Sequence, residues 1–524
     1  MGDTRKPTEI NAHPHLGQYS CVIHNGIIEN YKELKDELEK EGVQFLSQTD
    51  TEVIVQLFEF YAHHLEAKEA FKKTISRLKG AFATLLISKK EPNTIFFAKN
   101  AAPLIIGKNA QNELYFASGD APLIGNVDEV IYLEDLSYGY AREDELVIFE
   151  NDKSLKPSFV KLSGDKAYAK KDGFRFFMEK EIYEQSRVLS EVLMGRIEGD
   201  KVVFDELEKE DLTRFSEITL CACGTSYHAA LVGSYLLERV AKIRTKVEIA
   251  SEFRYREALI DPNSLFIVIS QSGETADTLE ALKIAKNIGV KSLAICNVDN
   301  SNIVRLANLS LLTRAGIEKG VASTKAFATQ VLTLWMLAIF IAQKKNLPIQ
   351  EDIKALLHTP NCVLVKQNLH ERIHRLSKRY LDGHGFFFIG RDVFYPLALE
   401  GALKLKELSY LHAEGYPAGE MKHGPIALAD SKLYTIALMP ENLLYEKTKS
   451  NVEELIARDS TLLCISPLDF DLSDDFIKTK QQSHYMCEFF EMMLITQLLA
   501  MEISIRLGND VDMPRNLAKS VTVE

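Results

Sequence analysis

Four segments of this chain recur in the same order, each at a nearly constant spacing of roughly 170 residues. ITLCACG, ending at Gly224, returns as FFFIG, ending at Gly390. LFIVIS at 265 returns as LYTIAL at 433, and SLAICN at 292 as TLLCIS at 461. The apolar helix opening Thr329-Gln330-Val331-Leu332 returns as Thr496-Gln497-Leu498-Leu499. Chance similarity does not keep four offsets in step, so the second part of the chain is one unit repeated. Within each copy, continuous apolar runs of strand length alternate with helical patterns, which marks a parallel sheet covered on both faces. Ligands of such sheets bind beyond the carboxyl ends of the strands. The polar segments Gly224-Thr225-Ser226, Ser270–Thr275 and Gly390-Arg391-Asp392 all fall there.

The run Leu265–Ile269 stops abruptly at Ser270-Gln271-Ser272-Gly273-Glu274-Thr275, and a helical pattern follows with Leu279, Leu282, Ile284 and Ala285. A helix starting there leaves backbone N–H groups unpaired and places its positive dipole end at the strand tip, a combination that favours an anion. Three hydroxyls and an amide add donors, with no Lys or Arg among them. That composition suits a sugar phosphate better than a nucleoside triphosphate, whose loop needs its own glycines and lysine. The structural alternative is a polar N-capping turn.

Residues 1 to about 160 read differently. Strand-like runs (TIFFAK, ELYFAS, EVIYLE, ELVIFE) come late, after two helical patterns at Tyr31–Glu41 and Glu52–His63, as in an α+β layer. The charged stretch from about Val160 to Gly173 reads as a linker, and FFMEKEIYEQSRVLSEVL as a helical lead-in. A net charge of −12 argues against nucleic acid or an acidic membrane as partner. Seven scattered cysteines fit a reducing cytoplasm rather than a disulfide framework, and Cys221 and Cys223 have no metal or redox spacing. Val331–Ala342 is too short to cross a bilayer and reads as a buried helix.

Several clusters can carry chemistry. On the helical pattern Leu397–Tyr410, Glu400, Lys404 and Glu407 share a face that Lys406 does not. That face is either a solvated salt-bridge ladder or a carboxylate beside an ammonium, suited to moving a proton next to a carbonyl. His423, in GEMKHGP, is either a polar loop residue or a histidine held by a rigid turn. Lys519, near the end of PRNLAKSVTVE, belongs to a frayed tail unless that tail folds back, in which case its amine can form a Schiff base. Asn25-Gly26 reads as a turn able to present an oxyanion hole, and Asp50 as a helix N-cap candidate. His13 and His15 lack further ligands, so no metal is expected.

Taken together, HNGIIENY, SQTDTEV, CGTSY, EIASEFRYR, SQSGETADT, GVASTKAF, EGALKLKELSY, KHGP and PRNLAKSVTVE resemble the isomerising glutamine–fructose-6-phosphate aminotransferase family, over nearly the whole chain. The resemblance implies an α/β protein: two tandem sugar-isomerase (SIS) domains with doubly wound parallel sheets, at 209–348 and 381–515. A truncated α+β N-terminal-nucleophile glutaminase domain at 1–160 precedes them, with linker and lead-in helices at 161–208 and an active-site tail at 516–524. It implies synthesis of glucosamine 6-phosphate from fructose 6-phosphate and glutamine or ammonia, without cofactor or metal, in a cytoplasmic homodimer. By the same resemblance Ser270, Gln271, Ser272 and Thr275 hold the phosphate. Thr225, Ser226, Val321, Ala322 and Ser323 line the sugar. Glu407 moves the proton between C1 and C2 with Lys404 beside it, and His423 opens the ring at the neighbouring subunit's site. Lys519 forms the imine, and Arg515 belongs to a tail that closes the site. Asn25 and Gly26 match the oxyanion hole, and Asp50 the acid that pairs with the α-amino group of glutamine.

The sequence departs from the family at its start, MGDTRKPTEINAHPH, where position 2 is Gly and no cysteine with a free α-amine is present. Cys21, beside Val22 and Ile23, reads as a buried thiol within a strand. Loss of glutamine hydrolysis and uncovered apolar faces in residues 1–150 are therefore expected. Two other functions suit the same folds: a sugar-phosphate deglycase or deaminase, and a sugar-phosphate-binding regulator.

Overall fold

The computed structural model describes residues 9–100, 102, 104–118, 123, 125–143, 145–150, 152–162 and 171–521. Most of the expected linker, the first eight positions and the last three lie outside the described residues. The chain divides into two compact units, one reaching Lys170 and the other running Lys171–Lys519.

In the first unit, an antiparallel sheet takes the order His15–Leu16, Ser20–Ile28, Gly80–Ser88, Ile95–Asn100, Ser137–Arg142, Glu145–Glu150, Lys153–Leu155. Val22, Ile28, Leu86 and Phe96 on one face meet Leu34, Leu57, Phe58 and Phe71 from the helices Tyr31–Lys40, Glu52–Ala62 and Ala67–Arg77. Ala83, Phe97 and Ile148 on the other face meet Ile106 and Ile131 of a four-stranded sheet. Helix, sheet and sheet thus form three layers, with the seven-stranded sheet in the middle burying both of its faces.

Two readings of this unit need correction. The sequence pattern indicated two helices, and Ala67–Arg77 is a third. Asn25-Gly26 is no turn: both residues sit inside the strand Ser20–Ile28, opposite Ala83 and Phe82. Gly26 adopts φ +140°, and a Cβ there would stand 2.0 Å from the Ala81 carbonyl oxygen. Only glycine therefore fits at this point of the strand.

The second unit holds two five-stranded parallel sheets of identical topology. Numbering strands within each sheet, both run 2-1-3-4-5. The first comprises Glu217–Ala222, Arg244–Ile249, Leu265–Ser270, Lys291–Cys296 and Leu309–Leu312. The second comprises Gly385–Gly390, Ala413–Pro417, Leu433–Leu438, Thr461–Ser466 and Asp475–Lys478. In each sheet the first and third strands are buried throughout, as a sheet covered on both faces requires. One core runs through both halves, around the helices Lys325–Lys344 and Tyr485–Arg506. Lys325–Lys344 is long and apolar enough to cross a membrane, yet 94% of its most apolar window is buried inside the protein. The lead-in helix Phe177–Leu193 packs on the same core, with Gln185 Nε2 donating to Gln497 Oε1 at 2.8 Å.

In a 2-1-3-4-5 sheet, the connections from strands 1 and 3 leave in opposite directions and open a crevice between their carboxyl ends. In the first sheet this point lies between Ala222 and Ser270, where GTS and SQSGET follow.

Candidate active site

The loop after Ser270 is braced from within and from behind. Ser270 Oγ accepts the Gly273 N–H at 3.0 Å and lies 3.0 Å from Thr275 Oγ1, and Ser272 Oγ accepts the Glu274 N–H at 3.2 Å. The Glu274 carboxylate accepts from Asn302 N and Nδ2, and Ile303 N donates to the Gly273 carbonyl. Gly273 has φ +70°, and a Cβ there would stand 1.9 Å from Ser301 Oγ. A side chain at that position would push the loop off its brace. The helix Ala276–Ile288 begins immediately afterwards, and a helix start of this kind offers first-turn amides suited to an anion.

The corresponding loop of the second half has its amides engaged internally. Glu488, wholly buried, accepts from Glu441 N at 2.7 Å and Asn442 N at 3.1 Å. Burial pushes its pKa up to about 7, while those amides oppose the rise. A folded pKa above the unfolded one means stability is greatest below the ordinary carboxylate value and is lost as pH rises towards 7. Thermal unfolding of Glu488→Gln against wild type, from about pH 5 to about pH 8, is therefore expected to show the variant gaining on the order of 2–3 kcal/mol with rising pH. A pH-independent difference would contradict this.

Between the halves of the second unit, Lys404 on the helix Phe394–Ser409 is 1% exposed, with Nζ 2.6 Å from Glu407 Oε2 and 3.4 Å from Glu400 Oε1. Lys404 Nζ also donates to Thr225 Oγ1, which in turn donates to Glu400 Oε1 at 3.0 Å. His228 Nδ1 lies 2.7 Å from Glu400 Oε2. Burial disfavours the ammonium, but the Glu407 and Glu400 carboxylates hold the Lys404 pKa above its ordinary value. Burial likewise opposes the Glu400 charge, and Lys404 and His228 outweigh it to keep that pKa low. The ladder is buried rather than solvated. Glu407, with 21% of its side chain exposed, is the member open to a ligand, while Lys406 points to solvent.

Lys519 is not frayed. Its Nζ donates to Glu318 Oε2 at 2.5 Å and to the Gly320 carbonyl at 2.8 Å. Glu318 also accepts from Thr324 N, Ala326 N and Ser323 Oγ. Burial of its carboxylate is outweighed by Lys519 and the backbone donors, which pull its pKa down. Val321 N donates to the Asp512 carbonyl, Ala322 is buried, and Ser226 Oγ accepts from Gln330 Nε2. Glu318 acts electrostatically on Lys404 as well, so the tail lysine and the Glu400–Lys404–Glu407 ladder share one charged neighbourhood.

His423 stands apart: it ends the 3-10 helix Ala418–His423, exposed, without a hydrogen bond or ion pair among the described residues. Arg515 stacks over Tyr410, 4.1 Å from the ring centroid, and its N–H donates to Tyr410 Oη. In the first unit, Asp50 does not cap the helix Glu52–Ala62: its Oδ2 accepts from Ile28 N at 2.7 Å, tying the helix entry to the strand carrying Asn25. His13 and His24 bond to Thr51, and His15 to Thr49. Cys21 is half-buried inside its strand, opposite Leu16 and Ile87.

Glu318 and Glu181 escaped the sequence reading. An isolated acid beside GVAST was the only local signal for Glu318. Both contact partners more than a hundred residues away.

Paired 2-1-3-4-5 sheets, a hydroxyl loop on a helix start and a buried lysine–carboxylate ladder define a sugar-phosphate-handling SIS protein with an added α+β unit. Residues 211–340 and 382–471 match the SIS domain family, and residues 9–124 the glutamine amidotransferase domain family. The chain is 83% identical to a Campylobacter jejuni glutamine–fructose-6-phosphate aminotransferase (isomerizing), covering 100% of this chain and 88% of the relative. The Helicobacter pylori and Escherichia coli K12 proteins of that name are 51% and 41% identical, each over 99% of this chain and 87% of the relative. Among solved structures, the C-terminal domain of a Francisella tularensis glucosamine-fructose-6-phosphate aminotransferase superposes with a TM-score of 0.63 and 40% identity. It covers 66% of this chain and 100% of that one. The chain belongs to the glutamine–fructose-6-phosphate aminotransferase (isomerizing) family.

Proposed function

We propose that the protein aminates and isomerises fructose 6-phosphate to glucosamine 6-phosphate at the strand ends of its first SIS domain. The observation that carries this reading is Lys519, drawn from the chain's end onto Glu318 and Gly320 beside the Glu400–Lys404–Glu407 ladder. Ser270, Gln271, Ser272 and Thr275, with the helix start behind them, hold the phosphate. Thr225, Ser226 and Val321–Ser323 border the sugar. The Lys519 amine attacks the C2 carbonyl of the open chain, and both amine protons leave on the former carbonyl oxygen as water when the imine forms. Ammonia displaces the lysine, and Glu407 carries a proton from C1 to C2. The ketose oxygen is thereby exchanged for an amine, and C1 becomes the aldehyde.

Glutamine is the nitrogen donor of the family, and Asn25, Gly26 and Asp50 are the positions that would hold it. Cys21, laddered on both sides, is not placed to act as a terminal nucleophile. We assign ring opening to His423 acting across a homodimer, since it is exposed and outside this chain's own ladder. Seven free cysteines suit a cytoplasmic setting.

Incubation with fructose 6-phosphate alone, with ammonia and with glutamine, following glucose 6-phosphate, glucosamine 6-phosphate and glutamate, tests the reading. Glucosamine 6-phosphate with a nitrogen source is expected. Binding of fructose 6-phosphate without any product would point instead to a regulator. Gly273→Ala is expected to weaken fructose 6-phosphate binding at least about tenfold by calorimetry. Unchanged affinity would remove the loop from the site.

A further inference from the structure

The lysine that meets the sugar is held by a loop, and the loop is held by a residue outside the site as drawn so far. Glu181, 3% exposed, lies on the lead-in helix Phe177–Leu193. Its carboxylate accepts the Lys319 N–H at 2.5 Å and the Gly320 N–H at 3.3 Å. Gly320 permits this approach, since a Cβ there would stand 2.8 Å from Glu181 Oε2. The two acceptors of Lys519 flank those amides: the Glu318 carboxylate before them and the Gly320 carbonyl after. The same helix anchors the tail from a second side. Asp512 accepts Phe177 N and Met178 N at 2.9 Å each, while its own carbonyl takes the Val321 N–H.

We propose that Glu181 is a positioning residue for Lys519, clamping the Lys319–Gly320 amides so that Glu318 and the Gly320 carbonyl hold the amine where it meets the sugar carbonyl. The inference rests on the reading of Lys519 as the imine-forming residue. A displacement of about 1 Å at such a group costs on the order of 10²-fold in rate, and the clamp spans the peptide that carries both acceptors. The charged groups facing Glu181 are Glu318 from the loop, Lys519 from the tail and Lys325 from the helix Lys325–Lys344, with Glu184 of its own helix engaged by Lys325. Burial, then Glu318, push the Glu181 pKa up to about 7 while the two lysines oppose the rise, so the clamp changes charge near neutral pH.

Borohydride reduction of the full-length protein with fructose 6-phosphate traps the imine as a hexitol phosphate on Lys519, readable by peptide mass. Wild type is expected to form the adduct and Lys519→Ala to form none. Glu181→Gln is expected to trap at least about tenfold more slowly and to lose kcat by the same factor, with KM for fructose 6-phosphate within about twofold. Its pH profile should lose the limb set by Glu181, and Glu181→Asp should fall between. Should Glu181→Gln fail to fold, Gly320→Ala presses on the same contact from the loop side and is expected to give the same kinetic pattern. Trapping at the wild-type rate with an unchanged pH profile, or a loss confined to KM, overturns the inference alone. A wild type that traps no sugar, with Lys519→Ala as active as wild type, overturns the imine reading and this inference with it.

Discussion

Lys519→Ala is expected to lower glucosamine 6-phosphate formation at least about 10³-fold while leaving fructose 6-phosphate affinity within a few-fold, because the proposed nucleophile is removed and the proposed phosphate loop is untouched. Lys519→Arg separates chemistry from charge: it keeps a cation against Glu318 but forms no imine, and it should be equally inactive. The two variants part in stability. In Lys519→Ala the buried Glu318 loses the cation that offsets its burial, an expected cost of about 3 kcal/mol at neutral pH. A depressed folded pKa contributes stability above the ordinary carboxylate value and loses it below. The deficit of Lys519→Ala should therefore shrink in thermal unfolding as pH falls through that range. Activity in either variant above about a hundredth of wild type would remove Lys519 from the chemistry.

Glu407→Gln carries the second large effect. Glu400 and Lys404 are sealed in the ladder, and Glu407 alone of the three has part of its carboxylate side open, while sharing the Lys404 ammonium at 2.6 Å. A positioned general acid–base contributes typically about 10²–10⁴-fold, so conversion of fructose 6-phosphate to glucose 6-phosphate should fall by that factor. The shape at the site is kept, so binding of the sugar phosphate should hardly change, and trapping at Lys519 should persist. Retained isomerisation would assign the proton transfer to another group.

The repeated half of the fold was legible for a physical reason. Strands buried on both faces are continuous apolar runs, and LFIVIS or FFFIG can hardly be read otherwise. Edge strands such as Arg244–Ile249, partly exposed along its length, carry no such signal and only the coordinates delimit them. In the first unit, the helix Ala67–Arg77 buries only Ala67, Ala70, Phe71 and Thr74, a stripe narrow enough to pass unnoticed among its lysines. Asn-Gly is a turn dipeptide in most settings, and here the glycine's positive φ lies within a paired strand, against the Ala81 carbonyl, instead. The Glu400–Lys404–Glu407 face could be read because one helix sets its spacing. The clamp of Glu181 on Lys319 and the pairing of Lys519 with Glu318 could not, since tertiary folding alone brings those segments together.

The most direct test is a crystal structure with fructose 6-phosphate bound. The phosphate is expected within hydrogen-bonding distance of the Ser270, Ser272 and Thr275 hydroxyls at the start of the helix Ala276–Ile288, with C2 facing Lys519 Nζ and C1 facing Glu407. Phosphate density at the strand ends of the second SIS domain, beyond Gly390 and Leu438, with Lys519 remote from the sugar, would contradict the account.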